Sequence, residues 1–178
     1  ILSRLGIECL DVLNTHIAGY EYFPDHMHET KEQLIKQGKI RFLTCSDHNA
    51  ISRSDTPEET IARFAGLYDG FVGGLSFTHG GQFPAGAFRR HDLGLIAFKP
   101  LQGLNWTPEL EERARQQGIS KQEAAVRWVL AQPGVTSVVR RHANMQELAS
   151  NLRAIRSGLN EEEARWLDDT RRLVGPQT

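Results

Sequence analysis

The stretch QGKIRFLTCSDHN, residues 37–49, decides how the rest of the chain is read. Gly38, just past a helical run, supplies a left-handed cap, and Ile40, Phe42 and Leu43 fill a buried strand. That strand then stops on Ser46, Asp47, His48 and Asn49. Polar side chains crowded at the carboxyl end of a buried strand are where α/β folds keep their ligands.

The same grammar recurs on both sides. A strand is expected from about Leu10 to His16, and a helix from Met27 to Gln37 with Leu34 and Ile35 as its apolar positions. Thr56, Pro57, Glu58 and Glu59 combine an N-cap, a proline at the first helical position and early acids, opening a helix to about Leu67. FVGGLSF, residues 71–77, reads as a third strand. GLIAFKPL, residues 94–101, reads as a fourth, stopped by Pro100 because proline cannot donate to a sheet ladder. Ser120 to Glu123 form a capping box before a helix whose buried face is Ala124, Ala125, Trp128 and Val129. VTSVV, residues 135–139, is a fifth strand. Asn144 to Glu147 and Asn160 to Glu163 open two closing helices, the first striped by Leu148, Leu152 and Ile155. Uniformly apolar strands alternating with helices indicate an α/β fold, a parallel sheet covered on both faces with right-handed crossovers. Five strands are too few for an eight-stranded barrel, so the sheet is open or the barrel incomplete.

At 178 residues, 39% hydrophobic and 24% charged, the chain has the composition of one soluble globular domain. Its 21 basic and 22 acidic residues give a net charge of -1, which offers no broad electropositive face to nucleic acid. No apolar run has the length of a membrane span, and the amino end lacks the pattern of a signal peptide, so a cytoplasmic protein with no membrane partner is expected. Cys9 and Cys45 read as buried, reduced thiols.

Four segments carry a resemblance. LSRLGIECLDVLNTHI, LIKQGKIRFLTCSD, GLIAFKPLQGL and AAVRWVLAQPGVTSVVRRHANMQELASNL resemble, in chain order, the aldo-keto reductase family. The resemblance implies a TIM barrel that binds NADPH across the carboxyl ends of its strands and passes hydride to a small aldehyde or ketone. Residues 1–178 would then form an aldo-keto reductase-like domain, a partial (β/α)8 barrel that starts just before the fourth strand. The first three strand-helix units, which carry the family's catalytic Asp, Tyr and Lys, are not in this sequence. His16 matches the family's catalytic His, able to polarise a carbonyl through an imidazole N–H. Ser46 and Asp47 fall where the family holds the nicotinamide carboxamide with Ser and Asn. Phe98 matches an aromatic that stacks on the nicotinamide, and Lys99, Pro100 and Leu101 lead into the loop around the pyrophosphate. Arg141 matches a basic residue at the ribose phosphate, and Asn151 an amide at the adenine.

Several positions depart from the family pattern. An ionised Asp47 only accepts hydrogen bonds, Gly73 and Gly74 stand in place of a Gln, Arg140 replaces a Pro, and Ser150 replaces an acid. Glu147 stands where some members carry a base and would repel a 2′-phosphate, so NADP is implied with NAD as the alternative. The missing Asp, Tyr and Lys, Asp47 in place of Asn and the glycine pair in place of Gln favour a rival: a module that keeps the fold and binds cofactor or a partner without chemistry. Tyr20 and Tyr22 are candidate replacement proton donors. A third reading is a metal-dependent hydrolase built on His26 and His28. Arg89, Arg90 and His91 read as a solvated face. An incomplete sheet leaves unpaired edges, from which self-association or poor solubility is expected.

Overall fold

A computed structural model describes residues 1–16, 26–47, 50–78, 83–103 and 107–174. After a short helix α1 (Leu2–Leu5) the order is β1 (Leu10–His16), α2 (His26–Lys36), β2 (Ile40–Ser46), α3 (Pro57–Ala65), β3 (Gly70–Gly74), α4 (Ala85–Arg90) and β4 (Gly94–Phe98). Then follow α5 (Pro108–Gln116), α6 (Lys121–Ala131), β5 (Val135–Val139), α7 (Met145–Ser157) and α8 (Glu161–Val174). Each strand is parallel to the next, in the spatial order β1-β2-β3-β4-β5. A doubly wound sheet reverses its strand order at a switch point; this sheet never does, which is the winding of a barrel.

Local chemistry explains the element ends. Gly38 adopts φ 67, and the Gly38 and Lys39 N–H groups close α2 on the carbonyls of Ile35 and Leu34. Ser120 and Glu123 form the expected capping box, and the carboxamides of Asn144 and Asn160 accept from the N–H groups of Glu147 and Glu163. Thr56 occupies the N-cap of α3 without a side-chain cap bond; its own N–H donates to Ser54 Oγ instead.

Side chains alternate across a parallel sheet, and here the two faces differ. Leu43, Cys45, Phe71, Leu95 and Ala97 point to one face and are fully buried with Ile61, Phe64, Phe88, Ala125 and Val129. On the other face Val12, Phe42 and Val139 remain 46%, 47% and 55% exposed. The expectation of a sheet covered on both faces therefore fails. Consecutive neighbours joined by right-handed crossovers send the connecting helices to the same side, so among the described residues the opposite face has no helix layer.

Other boundaries shift for identifiable reasons. The fourth strand ends at Phe98, ahead of Pro100, because Lys99 turns to φ 58 and its carbonyl accepts from the Gln102 N–H. The third ends at Gly74, and Leu75 and Phe77 continue beside it, donating to the carbonyls of Phe98 and Pro100. Helices α4 and α5 were not expected. The first is six residues with no side-chain cap, and α5, PELEERARQ, is charged almost all round with Ala114 its buried residue, so neither carries an apolar stripe. The Leu148, Leu152, Ile155 stripe of α7 does not face the core: Ala154 is the buried residue, while Leu152 and Ile155 are exposed. On α2, Leu34 packs against the core and Ile35 is exposed.

Candidate functional site

Register brings the strand tips together. His16 pairs with Ser46, Ser46 with Val72, Gly74 with Phe98, and Phe98 with Val139. Paired residues share a face, so His16, Ser46 and Phe98 all belong to the uncovered face at the carboxyl edge of the sheet. His16 is exposed, Ser46 is buried and Phe98 is half-buried. Arg141 follows β5 two residues beyond Val139.

Beside this row, at the ends of β4 and β5, is a cleft of about 590 Å3 lined by Phe98, Lys99, Pro100, Leu101, Gln102, Val139, Arg140 and Arg141. Five of the sequence-derived site residues, Phe98, Lys99, Pro100, Leu101 and Arg141, thus meet in one concavity. Among the described residues the lining holds three cations and no acid. Lys99 is in the left-handed region at φ 58, a conformation that costs a non-glycine residue about 1–2 kcal/mol, and its ammonium sits 5.4 Å from the centre of the Phe98 ring. The loop below is pinned where the Thr78 hydroxyl donates to the Gly103 carbonyl at 2.9 Å. Arg140 is a site residue that family matching passes over, since it stands where a Pro is more usual. The signal for it was the paired arginines immediately after a strand. Its Nε is buried and has no hydrogen-bond partner among the described residues. Apolar walls, three cations and a buried donor in need of an acceptor fit a phosphate-bearing nucleotide, which Phe98, Lys99, Arg140 and Arg141 would hold.

The remaining candidates take other positions. Asp47 Oδ1 accepts from the Ala50 N–H at 3.0 Å, so this carboxylate stabilises the turn after β2. Glu147 Oε2 accepts from the Ala143 N–H at 2.9 Å, and the acid thereby belongs to the start of α7. Asn151 is half-buried on α7 and does not line the cleft. A Cβ on Gly73 would meet Phe71 Cε1 at 2.5 Å, so the glycine there makes room for a core ring. His26 and His28 are exposed, two positions apart on α2, which turns their side chains roughly 200° from each other. Among the described residues no three His, Cys, Asp or Glu side chains gather as metal ligands. Arg90 makes a bidentate pair with Glu58, whose carboxyl it holds below the usual range, and His91 lies 3.6 Å from the same acid. The expected solvated face is therefore an exposed ion-pair cluster. Tyr20, Tyr22, His48 and Asn49 lie outside the described residues. No helix among the described residues is long and apolar enough to cross a membrane.

Comparison with known proteins agrees with the fold. The model of the aldo/keto reductase family matches residues 83–172, from before α4 into α8. Among solved structures, an aldo/keto reductase from Klebsiella pneumoniae in complex with NADP and acetate superposes with a TM-score of 0.71 at 23% identity, covering 99% of this chain and 63% of that one. An aldo-keto reductase from Bacillus halodurans gives 0.68 at 19% identity over 95% of this chain and 64% of that one. An aldo-keto reductase enzyme from a Medee basin deep-sea metagenome library gives 0.71 at 16% identity over 99% and 63%. No curated protein sequence matches. The chain spans less than two thirds of these relatives, about the share that five strands of eight would occupy. With the family model matching just over half of its length, and a fold of unreversed parallel strands beneath it, the chain belongs to the aldo/keto reductase family.

Proposed function

We propose that the chain carries the nicotinamide-binding part of an NAD(P)H-dependent oxidoreductase that reduces small aldehydes or ketones. The observation that supports this reading is the gathering of His16, Ser46 and Phe98 on one face and edge of the sheet, beside a cleft whose described lining has three cations and no acid. When bound, the dihydronicotinamide supplies a hydride to the carbonyl carbon. The imidazole N–H of His16 donates to the carbonyl oxygen and draws electron density from the carbon. The Ser46 hydroxyl would hold the carboxamide, the Phe98 ring would pack on the nicotinamide, and Lys99 with Arg141 would neutralise phosphate charge. A proton donor would then complete the alcohol; the family's Tyr donor is not in this sequence, and Tyr20 and Tyr22 are the candidates for that role here. The 2′-phosphate of NADP suits the cationic cleft, and NAD is the alternative.

One observation favours a second reading, a cofactor-binding module without turnover: the Asp47 carboxylate is engaged by the Ala50 N–H and only accepts. Nicotinamide fluorescence on titrating the chain with NADPH, followed by NADPH oxidation with a reactive aldehyde, separates the two. Binding with turnover sustains the reductase, binding without turnover sustains the module, and absence of binding overturns both.

A further inference from the structure

We infer that Arg140 is a phosphate-recognising residue of the cleft, its guanidinium donating to phosphate oxygens of the bound nucleotide as a third cation beside Lys99 and Arg141. The inference rests on the nucleotide reading above and deepens it at a position where family resemblance assigns no role. Arg140 Nε is buried without a partner among the described residues. An unmet buried donor costs about 1–3 kcal/mol, and native folds retain few of them without a reason. Arg140 lines the cleft, so a small turn of its guanidinium would bring this donor to an anion entering there. Among the described residues the cleft lining offers no competing carboxylate, its charged members being Lys99, Arg140 and Arg141. The nearest acid in sequence, Glu147, already accepts from the Ala143 N–H. The planar fork of a guanidinium matches two phosphate oxygens at once, which an ammonium cannot do. Lys99, which lines the same cleft, is in the left-handed region, and such backbone at non-glycine residues clusters where ligands are clamped.

The test is titration of the full chain with NADH and with NADPH, read by nicotinamide fluorescence at low and moderate salt, for the unaltered chain, R140Q and R140K. Thermal melts verify that each variant is folded. R140Q is expected to bind about tenfold more weakly, as loss of one charge-assisted contact implies, and to lose part of its salt dependence. R140K is expected in between, because it keeps the charge and loses the fork. Weakening toward both nucleotides assigns the contact to the shared diphosphate, and weakening toward NADPH alone assigns it to the ribose phosphate; either sustains the inference. Equal affinities and equal salt dependence in all three proteins overturn it while leaving the nucleotide reading intact. If the unaltered chain binds neither nucleotide, the nucleotide reading itself fails and the inference falls with it. Should R140Q not fold, R140K decides: weaker binding sustains the contact and unchanged binding overturns it.

Discussion

Cys45 is 0% exposed, and burial, helped by the charge of Asp47, pushes its thiol far above the ordinary range. Cys9, before β1, is only half-buried. A thiol reagent at neutral pH is therefore expected to label Cys9 in the folded chain and both cysteines once it is unfolded; two fast-reacting native thiols would contradict the core assignment. Gly73 is held to a hydrogen by Phe71, whose ring is itself wedged between Phe64 at 4.9 Å and Phe88 at 5.8 Å. The Gly73→Ala change has no slack to use, and urea denaturation should register a loss of about 1–3 kcal/mol. Packing of the helix-facing core thus accounts for Gly73, whereas Gly74, paired with Phe98, lies on the uncovered face.

Helix starts that look alike in sequence are expected to respond differently. The Ser120 hydroxyl accepts from the Glu123 N–H, and Ser120→Ala should cost about 1 kcal/mol. Thr56 makes no side-chain cap bond, so Thr56→Ala should stay within about 0.5 kcal/mol. Glu123 adds a pH dependence. Burial raises its carboxyl, but the Ser120 N–H and the Arg153 guanidinium outweigh that and hold it below its ordinary value. A depressed folded value means stability that is full above the unfolded pKa, about 4.3 for Glu, and is lost as pH falls through the folded one. Melting followed from neutral to acid pH should steepen its fall below that range in the unaltered chain. Glu123→Gln should flatten the fall and lower stability at neutral pH by about 1–3 kcal/mol.

For the molecule as a whole, the uncovered sheet face and the two edge strands dominate. β1 and β5 each pair on one side only among the described residues, and Val12, Phe42 and Val139 are exposed between them. Unpaired ladders and an apolar face of this kind recruit further chain, so concentration-dependent association is expected by light scattering, together with binding of a hydrophobic dye. Phe42→Ser should weaken both. A chain that stays monomeric at high concentration and ignores the dye would remove this expectation.

Strand positions, the capping boxes and the barrel-like alternation were legible in the residues, because apolar runs, glycine caps and Asn or Ser caps act over a few neighbours. The strands at 10–16, 40–46 and 135–139 have those bounds in the fold. Helix α5 was hidden because a helix held mainly by charged side chains has no apolar period, although Thr107, Pro108 and Glu109 repeat the start seen at Thr56. Matching to a family could name Phe98, Lys99 and Arg141, but not Arg140, whose role depends on what surrounds its Nε. Which face of the sheet is covered, whether Asp47 and Glu147 are engaged, and which cations share a cleft are long-range outcomes. They depend on the handed winding of successive crossovers and on register between strands, and no short stretch of chain encodes either.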